Sequence, residues 1–396
     1  MTNWVLPDHI ADMLPRQTRE LETLRTRTLE VMRSHGFEAI RPPMFEFLDS
    51  LLTGTGNRLD RTTIKFVDEA SGRQAGFRAD ITPQVARIDA HILNRTGITR
   101  LCYAGSVLHA RPRHPLATRQ PYVAGAEMFG ATGREADLEM VRLAVDMQCE
   151  VGIRRVHLAI GHTGIVRSFL KSDPALTPAI QDAVVAALSD KDPAGLAVAA
   201  EPLSAKTVEA LSGLCLIYGG DDALDRVLAL CKGNPDAEKA VDELRWIAER
   251  CGADDVTIDG ASVTGFDYYT GISFAGLVED LPEPLLRGGR YDGIGLAFGR
   301  FRPAVGFTLY LRELAVLRTP ELPFAVIAPP ASEDPKLESL VRKLRHAGRI
   351  VVQLLPGEDP AGLAESFQVT ERIVFERGEW QVVPVSAKSI SVSYTH

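Results

Sequence analysis

Five short segments hold the side chains that could do chemistry. In FRADIT, read as a strand, alternate residues share a face, so Arg78, Asp80 and Thr82 line up together. A carboxylate beside a hydroxyl suits an ammonium ligand: one pairs its charge and the other accepts a hydrogen bond. The competing reading is internal, an Arg78–Asp80 ion pair with Thr82 as the N-cap of a helix from Pro83 to Leu93. In VAGAEMFG, Val123, Gly125, Glu127 and Phe129 share a face. Burying a lone glutamate charge costs on the order of several kcal/mol. Glu127 therefore needs a donor or a cation, either a nearby arginine or a ligand for which Gly125 leaves room.

The remaining three segments are less decisive. GFDYYTG reads as a strand approaching a pocket, but adjacent Tyr268 and Tyr269 then point to opposite faces unless a bulge intervenes. LLRGGRYDGI holds a Gly288–Gly289 turn followed by Arg290, Tyr291 and Asp292. It has neither phosphate-loop nor dinucleotide-loop spacing. HARPRHPLATR gathers His109, Arg111, Arg113, His114 and Arg119 in a loop that is either solvated or set to meet phosphate. None of the five cysteines (Cys102, Cys149, Cys215, Cys231, Cys251) forms a CxxC pair, which argues for reduced, partly buried thiols and against a zinc ribbon. No metal site and no cofactor follow from these patterns.

These residues need elements to hold them. A helix carries Leu21, Leu24, Leu29, Val31 and Met32 on one stripe and ends at Gly36. Residues 60–130 read as antiparallel strands interrupted by one helix, and helix 134–151 and strand 156–161 follow. Residues 172–250 turn Ala- and Leu-rich, with Pro-containing punctuation, and predict an inserted helical subdomain. Strands then return, and PAVGFTLYLREL passes from strand to helix. The organisation is a core of residues 1–318, a Pro-containing linker, and a small α/β unit at 323–396. The fold class is α+β, a large antiparallel sheet flanked by helices.

Composition bounds the function. The 396 residues are 45% hydrophobic and 24% charged, enough for a sizeable core and two or three domains. Net charge −8 excludes a general affinity for nucleic acid. No apolar run approaches the ~18–20 residues of a membrane helix. Asp8 and Asp12 stand where a leader would be basic then apolar, so the expected compartment is the cytoplasm.

Taken in order, LPDHIADMLP, GFEAIRPPMFE, FRADITPQVAR, the segment from Tyr103 to Gly130, GFDYYTGISF, GGRYDGI and PAVGFTLYLREL resemble the class II aminoacyl-tRNA synthetase core. The likeness is to the histidyl-tRNA synthetase branch and its paralogues, over roughly residues 6–316. It implies a histidine pocket in which Asp80 holds the α-amino group, Thr82 assists, Glu127 reads the imidazole, and Tyr268 and Tyr269 form the tyrosine pair. It also implies losses. His109, Thr264 and Glu313 stand at three arginine positions, and Tyr310 replaces a small residue beside the nucleotide. Arg312 lies one step from Glu313, turned by about 100° on a helix. Val123 replaces a glutamine of the pocket.

A synthetase core without its adenylation cations is similar to the regulatory subunits of ATP phosphoribosyltransferase. That resemblance implies a chain with no catalytic residues of its own. Its partner would be the short-form catalytic subunit of the first step of histidine biosynthesis, joined by homodimers of this chain in a hetero-octamer. Histidine would be the feedback effector. The C-terminal unit carries 8 Lys and Arg against 9 Asp and Glu and is shorter than an anticodon-binding domain, so tRNA binding is not expected. The alternatives are a divergent histidyl-tRNA synthetase relying on Arg111 and Arg119, and a paralogue with another partner or amino-acid ligand.

Overall fold

The computed structural model describes residues 4–54, 57–220, 222–266, 268–318 and 320–385. The chain divides into two compact units, Met1–Arg318 and Thr319–His396. Residues 386–396, counted in the small unit by sequence, lie outside the described residues.

The first unit is built on a nine-stranded sheet. Its spatial order is Glu38–Ala39, Thr99–Ser106, Tyr122–Phe129, Ala304–Tyr310, Leu286–Arg290, Ile272–Leu277, His157–His162, Asp255–Asp259 and Tyr218–Gly219. Neighbours run antiparallel except at Glu38–Ala39 beside Thr99–Ser106 and at His157–His162 beside Asp255–Asp259. Alternation along the strands divides the core in two. Cys102, Ala124, Ala126, Met128, Phe307 and Leu309 face the cluster that also takes residues from helices Pro15–Ser34 and Arg134–Glu150. Leu101, Tyr103, Val123, Phe129 and Ala304 face a smaller cluster with Ile81, Val85 and Tyr291. That smaller face carries the site.

The inserted segment is helical: Pro178–Ser189, Pro193–Ala199, Ala205–Cys215, Ala223–Cys231 and Pro235–Ala248. Thr177, Asp192, Ser204 and Asn234 cap four of these by accepting backbone N–H groups, and three of the four have proline in the first turn. The insertion also supplies Tyr218–Gly219, the edge strand of the large sheet.

Three local readings are corrected. The strand through FRADIT stops at Phe77, and Thr82 opens helix Thr82–Arg87, so Arg78, Asp80 and Thr82 do not share a strand face. Gly288 and Gly289 lie inside strand Leu286–Arg290 rather than in a turn. Their missing side chains are used otherwise: a Cβ on Gly288 would overlap the Phe274 ring, and one on Gly289 would sit 2.9 Å from Tyr269 Cδ1. The described residues of GFDYYTG form a turn, not a strand. Gly265 takes φ +64°, and its carbonyl accepts from both Tyr268 N–H (2.8 Å) and Tyr269 N–H (2.7 Å). That curl lets both rings pack against the smaller cluster.

The second unit pairs a four-stranded sheet with helix Pro335–His346. Strand order is Ile350–Gln353, Phe324–Ala328, Gln368–Glu376, Glu379–Pro384. Val326, Ala328, Leu337, Val341, Val351 and Ile373 form its core. All five cysteines are free, and Cys149 alone among them is exposed.

Candidate functional site

Glu127 sits in the middle of strand Tyr122–Phe129, opposite Leu101 on one side and Gly306 on the other. It is 1% exposed. The lack of a side chain at Gly306 makes this possible, because a Cβ there would overlap the Glu127 carboxylate. The partner is not an arginine. Three hydroxyls donate to the carboxylate: Thr82 Oγ1 to Oε1 at 2.7 Å, Tyr103 OH to Oε1 at 3.1 Å, and Tyr291 OH to Oε2. With its proton committed to Glu127, Tyr103 accepts from Thr308 Oγ1 at 3.1 Å. Burial pushes the Glu127 carboxyl up to about 8; the hydroxyls hold it down and the charge of Asp80 adds to the rise.

Gly125 makes room for the chain itself and not for a ligand: a Cβ there would overlap the Tyr103 phenol. The Arg78–Asp80 ion pair is also absent. Arg78 donates through Nε to the Ser106 carbonyl (2.9 Å) and through Nη1 to that of Pro42 (2.9 Å), and burial lowers its pKa. Asp80 Oδ1 accepts the Thr82 N–H at 3.1 Å. Its charge is felt by Glu127 and by the phenols of Tyr103, Tyr268, Tyr269 and Tyr310, so it lies near all of them.

Tyr268 stacks on Tyr291 with centroids 4.8 Å apart and meets Tyr269 edge-on at 5.4 Å. Its hydroxyl is buried and has no hydrogen-bond partner. Burial and the charge of Glu127 push its pKa well up. The structure thus brings Asp80, Thr82, Glu127, Tyr268 and Tyr269 together in one buried cluster. It adds Tyr291, which the sequence reading named only within LLRGGRYDGI, and Tyr103 and Thr308, which it did not select. Strand pairing was the signal for Tyr103: it stands directly across from Gly125, where a large side chain needs a small neighbour.

His109, Thr264 and Glu313, at the positions where arginines are lost, sit in different surroundings. His109 is buried with Nε2 at 3.1 Å from the Ala79 carbonyl. Thr264 is exposed. Arg312 does not substitute for the residue at 313: its guanidinium donates to the carbonyls of Gln120 (3.3 Å) and Ala11 (2.6 Å). Glu313 accepts from Arg113 Nη2 at 3.1 Å, and the Arg113 guanidinium lies 3.9 Å over the Tyr310 ring. Arg111 is exposed, and Arg119 donates to the His109 carbonyl at 3.0 Å. Among the described residues no group of three His, Cys, Asp or Glu could hold a metal ion, and no helix is long and apolar enough to cross a membrane.

The family model for histidyl-tRNA synthetase matches residues 9–314, and that for the ATP phosphoribosyltransferase subunit HisZ C-terminal domain matches residues 323–383. The ATP phosphoribosyltransferase regulatory subunit of Ralstonia pickettii (strain 12J) is 46% identical over 386 residues, which is 98% of this chain and 99% of the relative. That of Bordetella pertussis is 43% identical over 385 residues, 96% of this chain and 99% of the relative. A solved structure described as an ATP phosphoribosyltransferase regulatory subunit/histidyl-tRNA synthetase from Bacillus halodurans matches with TM-score 0.81 at 24% identity, covering 93% of this chain and 97% of that one. Histidyl-tRNA synthetase from Nostoc sp. PCC 7120 matches with TM-score 0.78 at 19% identity, covering 97% of each. The two structures speak for the fold, and the near-full-length relatives decide the family. The chain belongs to the ATP phosphoribosyltransferase regulatory subunits, on a histidyl-tRNA synthetase-like class II fold.

Proposed function

We propose that this chain regulates without catalysing, and that histidine binds in the Glu127 pocket. The observation that carries the reading is a buried carboxyl ringed by three hydroxyls, with the unpartnered Tyr268 hydroxyl nearby. Such a carboxyl favours a ligand that donates an N–H or brings positive charge. An imidazole does either, according to its protonation. Asp80, near the same groups, suits the α-ammonium group.

The surroundings of Glu313 support the absence of adenylation. Developing charge on a nucleotide phosphate needs fixed cations, and removing one such donor typically costs about 10²–10³ in rate. Here Glu313 stands as an anion, Arg113 is already paired with it, and Arg312 is tied to backbone carbonyls.

On this reading the chain activates a short-form catalytic subunit and lends it histidine sensitivity. Homodimers of this chain join those subunits in a hetero-octamer, and tRNA is not a partner. Feedback requires that histidine bind the activating and restraining arrangements with different affinity.

Calorimetric titration of histidine into the wild type and Glu127→Gln tests the pocket. Weakening of about tenfold or more is expected, the worth of a charge-assisted hydrogen bond. Unchanged affinity would place the effector elsewhere. Histidine-dependent ATP–pyrophosphate exchange by the wild type would contradict the loss of adenylation.

A further inference from the structure

The Arg113–Glu313 ion pair is half used. Arg113 gives Nη2 to Glu313 Oε1 at 3.1 Å, and its face lies on Tyr310. Arg113 Nε and Glu313 Oε2 are both buried, and neither has a hydrogen-bond partner. One open donor and one open acceptor therefore belong to a single pair of no net charge. Arg287, the other cation felt by Tyr310, is occupied by Glu283.

The pair lies against Tyr310, which packs on the same smaller cluster as Tyr268 and Tyr269. Tyr310 lies opposite Val123, four residues along the strand from Glu127, a span of about 13 Å. The charge of Asp80 is felt at both ends, by Glu127 and by Tyr310.

Resting on the reading that histidine occupies this pocket, we infer that Arg113 and Glu313 form a clamp for the zwitterionic head group of an α-amino acid. Arg113 Nε–H donates to the carboxylate, while Glu313 Oε2, together with Asp80, accepts from the ammonium. The clamp replaces the carboxylate-binding arginine lost at Thr264. It also sets specificity. A phosphate would satisfy Arg113 but meet the open oxygen of Glu313, and a simple amine would satisfy Glu313 but meet Arg113. A head group carrying both charges matches both without leaving a buried charge unbalanced.

The test is calorimetric titration of L-histidine and L-histidinol into the full chain. Histidinol keeps the ring and the ammonium and lacks the carboxylate. The wild type is expected to bind histidine at least about tenfold tighter than histidinol, the scale of one charge-assisted hydrogen bond. Arg113→Gln is expected to erase that preference by weakening histidine alone, whereas Glu127→Gln weakens both ligands. Glu313→Gln, a second variant that keeps the side-chain shape, is expected to weaken histidine and to strengthen binding of inorganic triphosphate. Thermal unfolding verifies that each variant is folded; if Arg113→Gln is not, Arg113→Lys, which loses the Nε donor, replaces it. If Arg113 variants weaken both ligands equally or neither, while Glu127→Gln weakens both, the clamp is wrong and the pocket stands. If Glu127→Gln changes neither ligand, the pocket reading falls and the clamp with it.

Discussion

Replacing Glu127 by glutamine should change how stability depends on pH. The carboxyl is held at about 8 in the folded protein against an ordinary 4.5. The folded state therefore holds this proton more tightly than the unfolded chain does, and ionisation opposes folding. The contribution is fully present below about pH 4.5 and is lost as pH rises through about 8. At about 1.4 kcal/mol per pH unit, the difference between 4.5 and about 8 sets a ceiling of roughly 5 kcal/mol. The three hydroxyl donors act against this, since they favour the ionised form; without them the rise would be larger. Glutamine keeps the shape and removes the titration. Urea unfolding of the ligand-free wild type and Glu127→Gln, from about pH 5 to about pH 9, reads the effect directly. The variant should gain on the wild type from about pH 5 to about pH 8 and level off above that. A stability difference that does not vary with pH would refute the reasoning, because it would mean that Glu127 ionises as freely in the fold as outside it.

Two further substitutions probe the same pocket. Tyr268→Phe removes a buried hydroxyl that has no partner, so thermal stability should stay level or rise by about 1 kcal/mol. A loss of that size would show that the hydroxyl is bonded. Gly306→Ala puts a methyl group into the Glu127 carboxylate and 2.7 Å from the Ala126 carbonyl oxygen, and overpacking of this kind costs roughly 1–3 kcal/mol. A variant with wild-type melting temperature and wild-type histidine affinity would show that Glu127 can move aside without consequence.

Much of this arrangement was legible in the sequence because strand alternation is strict. The spacing of Val123, Gly125, Glu127 and Phe129 on one face follows from the pleat and holds in the sheet. The strand-to-helix change in PAVGFTLYLREL is likewise found, as strand Ala304–Tyr310 and helix Leu311–Leu317. What failed depended on contacts between segments distant in sequence. Gly288 and Gly289 look like a turn locally, but they are small because Phe274 and Tyr269 cross them on the sheet. A strand would hold Tyr268 and Tyr269 on opposite faces, whereas Gly265 at φ +64° curls the chain instead. Local pattern offers Glu127 an arginine or a ligand, yet its donors are Thr82, Tyr103 from the neighbouring strand and Tyr291, 164 residues along the chain. Arg78, the nearest arginine by pattern, is occupied with backbone carbonyls that have no other visible signature in the sequence. The ion pair of Arg113 with Glu313, 200 residues apart, was equally out of reach of local spacing.

The regulatory role is tested most directly by mixing the purified protein with the short catalytic subunit of the same organism. Formation of phosphoribosyl-ATP is then followed with and without histidine. The account predicts activation on mixing and inhibition by histidine. No activation with a partner shown to be folded would contradict it.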